Sequence, residues 1–534
     1  MSFKYMIMRR MIWLVLFFTL GTIKAQQPVL YLEFEPTMAD QIKKTVASEK
    51  AKTMMDIYPP SFAMGVKGMA LDLSEDAPIR ATLKLDTGTY PSYSSKNDFS
   101  FQIWIKTKAG AAMGTPIAGN FNPDEPKKPG WIINTQENGA WSLFLFDGKN
   151  SYEYLPTQKK RINDGQWHQL GFSMNASKDE VWIYMDGRNV AIYNLSWFRT
   201  TENDLPLVLG GSNAKPEYDG MWNAFNGYID EVKIWNEYVE ADEFARLYGA
   251  FRKREKLTTE AAPGKLKVFS WNIWHGGHRF GRHVGLKRVI AIIKNSKADV
   301  VNLVETYGSG EEIADSLGYY FYLISSNLSI MSKYPIKETI KKYKPFNHGG
   351  VVLDLGNDQE LVYFDTWLNY LPDYCSKITE GKVPAERLVK MEAKTREKEI
   401  KIILRNIKPY LDKADSVPVI MAGDFNSGSH LDWTEQAKEQ HFGYVVKWPV
   451  SREMLKAGFK DSFREANFDP VRFPGYTWSP QAYRGSDKYG VLDRIDFIYY
   501  CGKSLKVVDS RVIDECPGLF PSDHAAVETV FAFR

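Results

Sequence analysis

The chain has 534 residues, of which 44% are hydrophobic and 25% charged, with a mean hydropathy of −0.36. That is too long for one ordinary core and predicts two or three globular domains, which excludes a disordered or fibrous chain. The net charge of +3 includes four positive and no acidic residues among the first 25, leaving −1 for the remainder, so global charge gives no support to a nucleic-acid partner.

Residues 1–25 carry Lys4, Arg9 and Arg10 ahead of the apolar run Met11 to Ile23. This predicts a secretory signal peptide cut after Ala25, too short to be a spanning helix. No cysteine follows the cut, so no lipid anchor is expected there. Cys375, Cys501 and Cys516 are the only cysteines and have no CxxC spacing. They allow at most one disulfide, with Cys501–Cys516 pairing left open, and no zinc framework. Export without dense disulfides predicts a secreted, periplasmic or cell-surface location, in a bacterium, with no transmembrane segment after signal removal.

Residues 27–250 hold short β-prone segments between turns. Phe99 to Lys106 and Glu180 to Met185 alternate with period two, the second leading into the hairpin signal Asp186-Gly187. Many such strands predict an all-β sandwich or jelly roll. The segments Asp164-Gly165-Gln166-Trp167-His168-Gln169-Leu170, Val181 to Gly187 and Gly227 to Trp235 occur in an order that resembles the laminin-G-like, concanavalin A-type jelly roll. The resemblance implies an accessory module able to bind a glycan or a cell-surface ligand. His168, between a tryptophan and a strand, reads as a satisfied structural histidine.

Residues 251–264 are polar, end in Pro263-Gly264 and read as the linker. From 265 to 534 the pattern becomes α/β. Lys265 to Asn272 reads as a strand tipped by Asn272. Leu286, Val289, Ile290 and Ile293 have helical spacing, and Ala298 to Glu305 is an apolar strand ending at Glu305. If the two strands run parallel, both polar tips share one rim. Glu360 to Asn369 reads as a strand, residues 384–412 as one long charged helix, and Val417 to Ala422 as a buried strand delivering Asp424 and Asn426. Charge also divides here: residues 26–250 carry 22 Lys and Arg against 29 Asp and Glu, net −7, while 251–534 carry 42 against 36, net +6. A net-positive half is expected if it handles an anion.

Gly423-Asp424-Phe425-Asn426 and Ser522-Asp523-His524 place acid, amide and imidazole where metal-assisted phosphoester hydrolysis needs them. Each alone also reads as a turn or a helix cap. Together with Trp271-Asn272, Glu305-Thr306 and Arg494-Ile495-Asp496-Phe497, they resemble the endonuclease/exonuclease/phosphatase superfamily, over about residues 265–534. The resemblance implies a four-layered, DNase-I-like α/β sandwich, two mixed sheets face to face with helices outside. It implies Glu305 as principal Mg²⁺ ligand, assisted by Asn272 and Asp523, with Asp424 and Asn426 positioning water and phosphate. His524 takes a general-base or phosphate-stabilising role, oriented by Asp496. An all-oxygen ligand set suits Mg²⁺, Mn²⁺ or Ca²⁺ better than zinc.

One stretch departs from the family. Where many members carry Asn-Thr-His-Leu-Asp, this chain has Asp365-Thr366-Trp367-Leu368-Asn369, and Trp367 cannot protonate a leaving group. The loop from Trp271 to His283 offers replacements: His275 as acid or phosphate contact, with His278, Arg279 and Arg282 as substrate contacts. The same loop also reads as a solvated basic loop, and His348 is a weaker alternative. The expected function is a secreted metal-dependent phosphoesterase, foremost a phosphodiesterase acting on nucleic acid, a phospholipid headgroup or a phosphorylated glycan. The alternative is a non-catalytic surface-binding protein whose second domain has decayed.

Overall fold

The computed structural model describes residues 26–35, 60–77, 82–86, 91–109, 114–214, 225–252, 264–379, 381, 383–480 and 491–534. The expected signal peptide and most of the expected linker lie outside the described residues.

The described residues between 26 and 252 form a β-sandwich. One sheet is centred on the strands Gly227–Trp235, Phe99–Thr107, Trp167–Asn175, Glu180–Met185 and Arg188–Asn194; the other contains Pro116–Gly119, Gly130–Thr135 and Trp141–Phe146. Period-two alternation sends Phe99, Phe101, Ile103 and Ile105 into the sandwich core beside Trp131, Ile133 and Leu143. The opposite face is not solvated, as alternation alone would predict. Gln102 accepts a hydrogen bond from Gln169 at 2.9 Å, and Trp104 stacks on Tyr248, centroids 5.5 Å apart. Tyr248 belongs to the amphipathic helix Ala241–Gly249, which covers that face. His168 is clamped as expected of a structural residue, Nδ1 2.9 Å from Asp186 and Nε2 3.1 Å from Asp164.

The described residues from 264 to 534 form two mixed sheets packed face to face. The first orders Tyr320–Leu323, Leu328–Ser332, Val300–Val304, Lys265–Asn272, Ala526–Phe533 and Leu505–Ile513; the second orders Ile336–Ile340, His348–Gly356, Gln359–Trp367, Val419–Asp424, Asp496–Cys501 and Lys460–Asp461. Between them Val268, Val300, Ile330, Tyr363, Ile420 and Ile498 share one apolar cluster. The helix Arg282–Ser296 buries Leu286, Val289 and Ile293 as expected; Ile292 is buried as well, while Ile290 is only half-buried. The expected single helix over 384–412 is instead three, Ala385–Ala393, Arg396–Asn406 and Lys408–Leu411. Thr395 leaves helical geometry at φ −123° and ψ −96°, and the break lets Arg396 turn inward to donate to the carbonyls of Asn369, Tyr370 and Pro372.

The two domains share a sheet. Arg188–Asn194 of the sandwich pairs in parallel with Tyr320–Leu323, Ile192 opposite Tyr322 and Tyr193 opposite Leu323. The seam is tied by Asn194 Nδ2 donating to the Ile324 carbonyl at 2.8 Å, by Tyr193 donating to Glu311 at 2.7 Å, and by Lys160 paired with Asp315 at 3.2 Å. Cys375, Cys501 and Cys516 are free thiols, so the open Cys501–Cys516 pairing does not form. Among the described residues no helix is long and apolar enough to cross a membrane.

Candidate active site

The site is built where strand tips from both sheets meet. Lys265–Asn272 and Val300–Val304 run parallel with Asn272 opposite Val304, so Asn272 and Glu305 emerge at one rim. In the facing sheet Val419–Asp424 lies beside Asp496–Cys501 with Asp424 opposite Asp496. Asn272 bridges the sheets: its Nδ2 lies 3.3 Å from Glu305 Oε1 and 3.2 Å from Asp424 Oδ2. Its Oδ1 accepts from the Trp274 N–H at 3.0 Å, so in this arrangement the amide nitrogen faces the two carboxylates.

Asp424 also accepts from the Asn426 backbone N–H at 2.9 Å and from its side chain at 3.1 Å. Asn426 Nδ2 donates to the Leu368 carbonyl as well, at 2.9 Å, joining the site to the strand that carries Trp367. Burial, then the Asp496 charge, push the Asp424 carboxyl up to about 7 against the pull of His524. His524 Nδ1 donates to Asp496 Oδ2 at 2.9 Å. Burial alone would lower this imidazole, but Asp496 and then Asp424 outweigh it and raise it to about 10. At neutral pH His524 is therefore a buried cation with Nε2 left to donate. Asp523, next in chain to His524, is half-buried.

Backbone strain concentrates at this rim. Trp274, His275, Glu305, Tyr307 and Asn426 all have positive φ, between 35° and 59°, each costing about 1–3 kcal/mol where a side chain is present. The strain turns Glu305 back toward the loop, where its Oε2 accepts the His275 backbone N–H at 2.8 Å and its carbonyl accepts Gly276 N–H at 2.8 Å. Gly423 serves a different need: at φ 136°, a Cβ there would lie 2.0 Å from the Thr366 carbonyl oxygen, so only glycine lets these strands pair.

The loop residues separate. The His275 ring is 67% exposed, with Nδ1 3.7 Å from Glu305. His278 Nε2 is hydrogen-bonded to Ser309 at 2.8 Å, and Ser309 donates to the Gly276 carbonyl; this ring holds the loop together. Arg279 lies over the Trp274 ring at 4.8 Å, and Arg282 begins the helix Arg282–Ser296, exposed. His348 does not reach the rim. It is fully buried, Nδ1 bonded to Thr366 at 3.0 Å, and burial lowers it to about 3, which removes it as an alternative acid.

Thr477, Trp478 and Asn327 support the site without any signal drawn from the sequence for that role, and Ser522, quoted within its motif, is given no role of its own there. Thr477 Oγ1 accepts the backbone N–H of both Ile495 and Asp496, at 3.1 Å each, and so fixes the Asp496 turn. Trp478 bridges by backbone to Asp493 and His524. Ser522 accepts the His524 N–H at 3.1 Å and donates to the Asn272 carbonyl at 2.6 Å. Asn327 binds the Glu305 N–H and the Phe346 carbonyl. Gly475-Tyr476-Thr477-Trp478 was the available signal, a small turn followed by aromatic and β-branched residues.

Residues 269–524 match the model of the Endonuclease/Exonuclease/phosphatase family. The C-terminal domain belongs to that family. Residues 83–245, within the sandwich, match the Concanavalin A-like lectin/glucanases superfamily. An uncharacterized Caenorhabditis elegans protein, F14F9.5, is 26% identical over 302 residues, covering 52% of this chain and 94% of that one. Among solved structures, truncated Caenorhabditis elegans TDP2 is 18% identical, covering 50% of this chain and 98% of its own, with a TM-score of 0.35. An AP endonuclease from Archaeoglobus fulgidus is 17% identical, covering 50% and 99%, with a TM-score of 0.36.

A divalent cation suits the donors of this endonuclease/exonuclease/phosphatase domain. Asp424, Asp496 and His524 offer ligand atoms within 4.8 Å of one another, and buried Asp496 Oδ1 has no hydrogen-bond partner among the described residues. His524 would have to give up its Nε2 proton to ligate, its Nδ1 staying on Asp496. The carboxylate oxygens are the better donors, which favours a hard cation.

Proposed function

We propose that the chain is a divalent-metal-dependent phosphodiesterase. The observation that carries the reading is the convergence of Asn272, Glu305, Asp424, Asn426, Asp496 and His524 at one rim, from strand tips of two facing sheets. Glu305 and Asp523 would hold the cation beside Asn272, and when bound it neutralises charge building on the phosphoryl oxygens. Asp424, pushed up to about 7, is poised to take a proton from water at neutral pH. Asn426 holds that carboxylate in place while a non-bridging oxygen accepts from the His524 imidazolium Nε2. Asp496 fixes the imidazolium's orientation and keeps it charged.

The exposed His275 side chain and the Arg279–Arg282 pair border the site as substrate contacts, whereas His278 is committed to the loop. Secretion and a glycan ligand for the sandwich rest on sequence alone and remain part of the proposal. Hydrolysis of bis(p-nitrophenyl) phosphate with Mg²⁺ or Mn²⁺, abolished by chelator and by Glu305→Gln, is the expected result. No turnover with either metal would leave the non-catalytic reading standing.

A further inference from the structure

The rim next to the phosphate site carries a row of aromatic side chains. Trp367 lies in register with Asp424 on the neighbouring strand, and paired strands are about 4.8 Å apart. Asp365, two residues earlier on the same face, is sealed between the sheets and bonded to Asn302 at 2.7 Å. Trp367 caps that layer where it opens to solvent. Phe346 meets its ring edge-on at 5.6 Å and Tyr370 lies 6.4 Å away. Phe346 and Tyr370 are 42% and 57% exposed.

These side chains are held out by buried machinery. Fully buried Arg396 donates to the carbonyls of Asn369, Tyr370 and Pro372, and Glu399 accepts the Asn369 N–H at 3.0 Å. Phe346 is anchored by Asn327, the same side chain that binds the Glu305 backbone. The segment leading to Phe346, Lys342-Tyr343-Lys344-Pro345, presents two exposed lysines. Aromatic faces interleaved with cations along a phosphate-handling rim suit the bases and backbone of an unpaired strand. A duplex keeps its base faces stacked inside.

We propose that Trp367, Phe346 and Tyr370 form a stacking subsite for the unpaired bases of a single-stranded nucleic acid whose phosphate enters the adjoining site. The proposal rests on the phosphodiesterase reading for the role of that phosphate. Its geometry can be tested without turnover.

The test is anisotropy of the full chain, in chelator, with a labelled oligodeoxythymidylate of about ten nucleotides against an abasic deoxyribose-phosphate strand of equal length and charge. The expected result is at least roughly tenfold tighter binding of the strand that has bases, with duplex binding weaker than single strand. Phe346→Ala with Tyr370→Ala, both exposed, should bring the ratio close to one, and Trp367→Phe should retain more of it than Trp367→Ala. Equal binding of the two strands overturns the subsite, as does a preference for duplex. Cosedimentation with phosphatidylglycerol vesicles that is lost in the same variants, without a base preference, overturns it in favour of a lipid surface. Hydrolysis of bis(p-nitrophenyl) phosphate, measured separately, tells failure of the subsite from failure of the phosphodiesterase reading.

Discussion

At the scale of residues, the site sets two like charges against each other and one cation between them. Asp424 and Asp496 sit opposite on paired strands, and the His524 imidazolium stands beside both. The sign for Asp424 is unusual for a carboxylate. Its ordinary value of 3.8 rises to about 7 on folding, so the folded state holds the proton longer, and stability falls as pH climbs from about 4 to 7. Asp424→Asn should therefore abolish hydrolysis in the presence of Mg²⁺ and, in chelator at pH 8, raise Tm by roughly 2 °C or more, by calorimetry. His524, raised to about 10, should stay charged through neutral pH. Activity should fall on an alkaline limb near that value, and the small residual activity of His524→Gln should lack the limb. Thr477→Val would strip the acceptor from two buried N–H groups. A loss of about 1–3 kcal/mol in denaturant unfolding for each N–H is expected, with kcat falling more than KM rises.

The acid, amide and imidazole of this site were legible because strand tips advertise themselves: an apolar run stops on Asn272, on Glu305 or on Asp424. The helpers were not. Thr477 and Asn327 act through hydrogen bonds to backbone groups remote in sequence, as Ser522 does in part through the Asn272 carbonyl, and nothing local marks a hydroxyl or amide that will find such a partner. The same holds for His348, which looked available beside two glycines and is sealed under Phe364.

At the scale of elements, periodicity found the strands and misjudged their surroundings. Phe99–Thr107 alternates, yet both faces are covered, because the helix Ala241–Gly249 folds back over the polar side. Charge misled similarly for residues 384–412, where buried Arg396 breaks the helix to serve carbonyls of another loop. The hairpin that Asp186-Gly187 turns, joining Glu180–Met185 to Arg188–Asn194, forms as expected, and Asp186 at its turn is one arm of the His168 clamp. Burial opposes charge on His168, but Asp186 and Asp164 outweigh it and raise the ring above its ordinary 6.5. The clamp's contribution is therefore full below pH 6.5 and lost as pH rises through the folded value. The Tm gap between wild type and His168→Gln should be widest at low pH and close toward alkaline pH.

At the scale of the whole molecule, the sandwich and the hydrolase domain form one continuous sheet across the Ile192–Tyr322 and Tyr193–Leu323 pairs. Cutting there leaves Tyr320–Leu323 as a bare edge and strips Glu311 and Asp315 of Tyr193, Thr157 and Lys160. A fragment of residues 264–534 should melt below the full chain and self-associate at rising concentration, seen by calorimetry and light scattering. A monomeric fragment with an unchanged Tm would show the shared sheet to be dispensable.

The sequence by itself determined the order of domains, the class of each fold and the polar residues ending the strands, because periodicity and strand-tip chemistry are local. Only the tertiary structure decided that Asp424 faces Asp496, that Trp367 heads an exposed aromatic row, and that the two domains share a sheet. Those outcomes depend on register between segments far apart in the chain, which hydrogen-bond geometry fixes only once the sheets have formed.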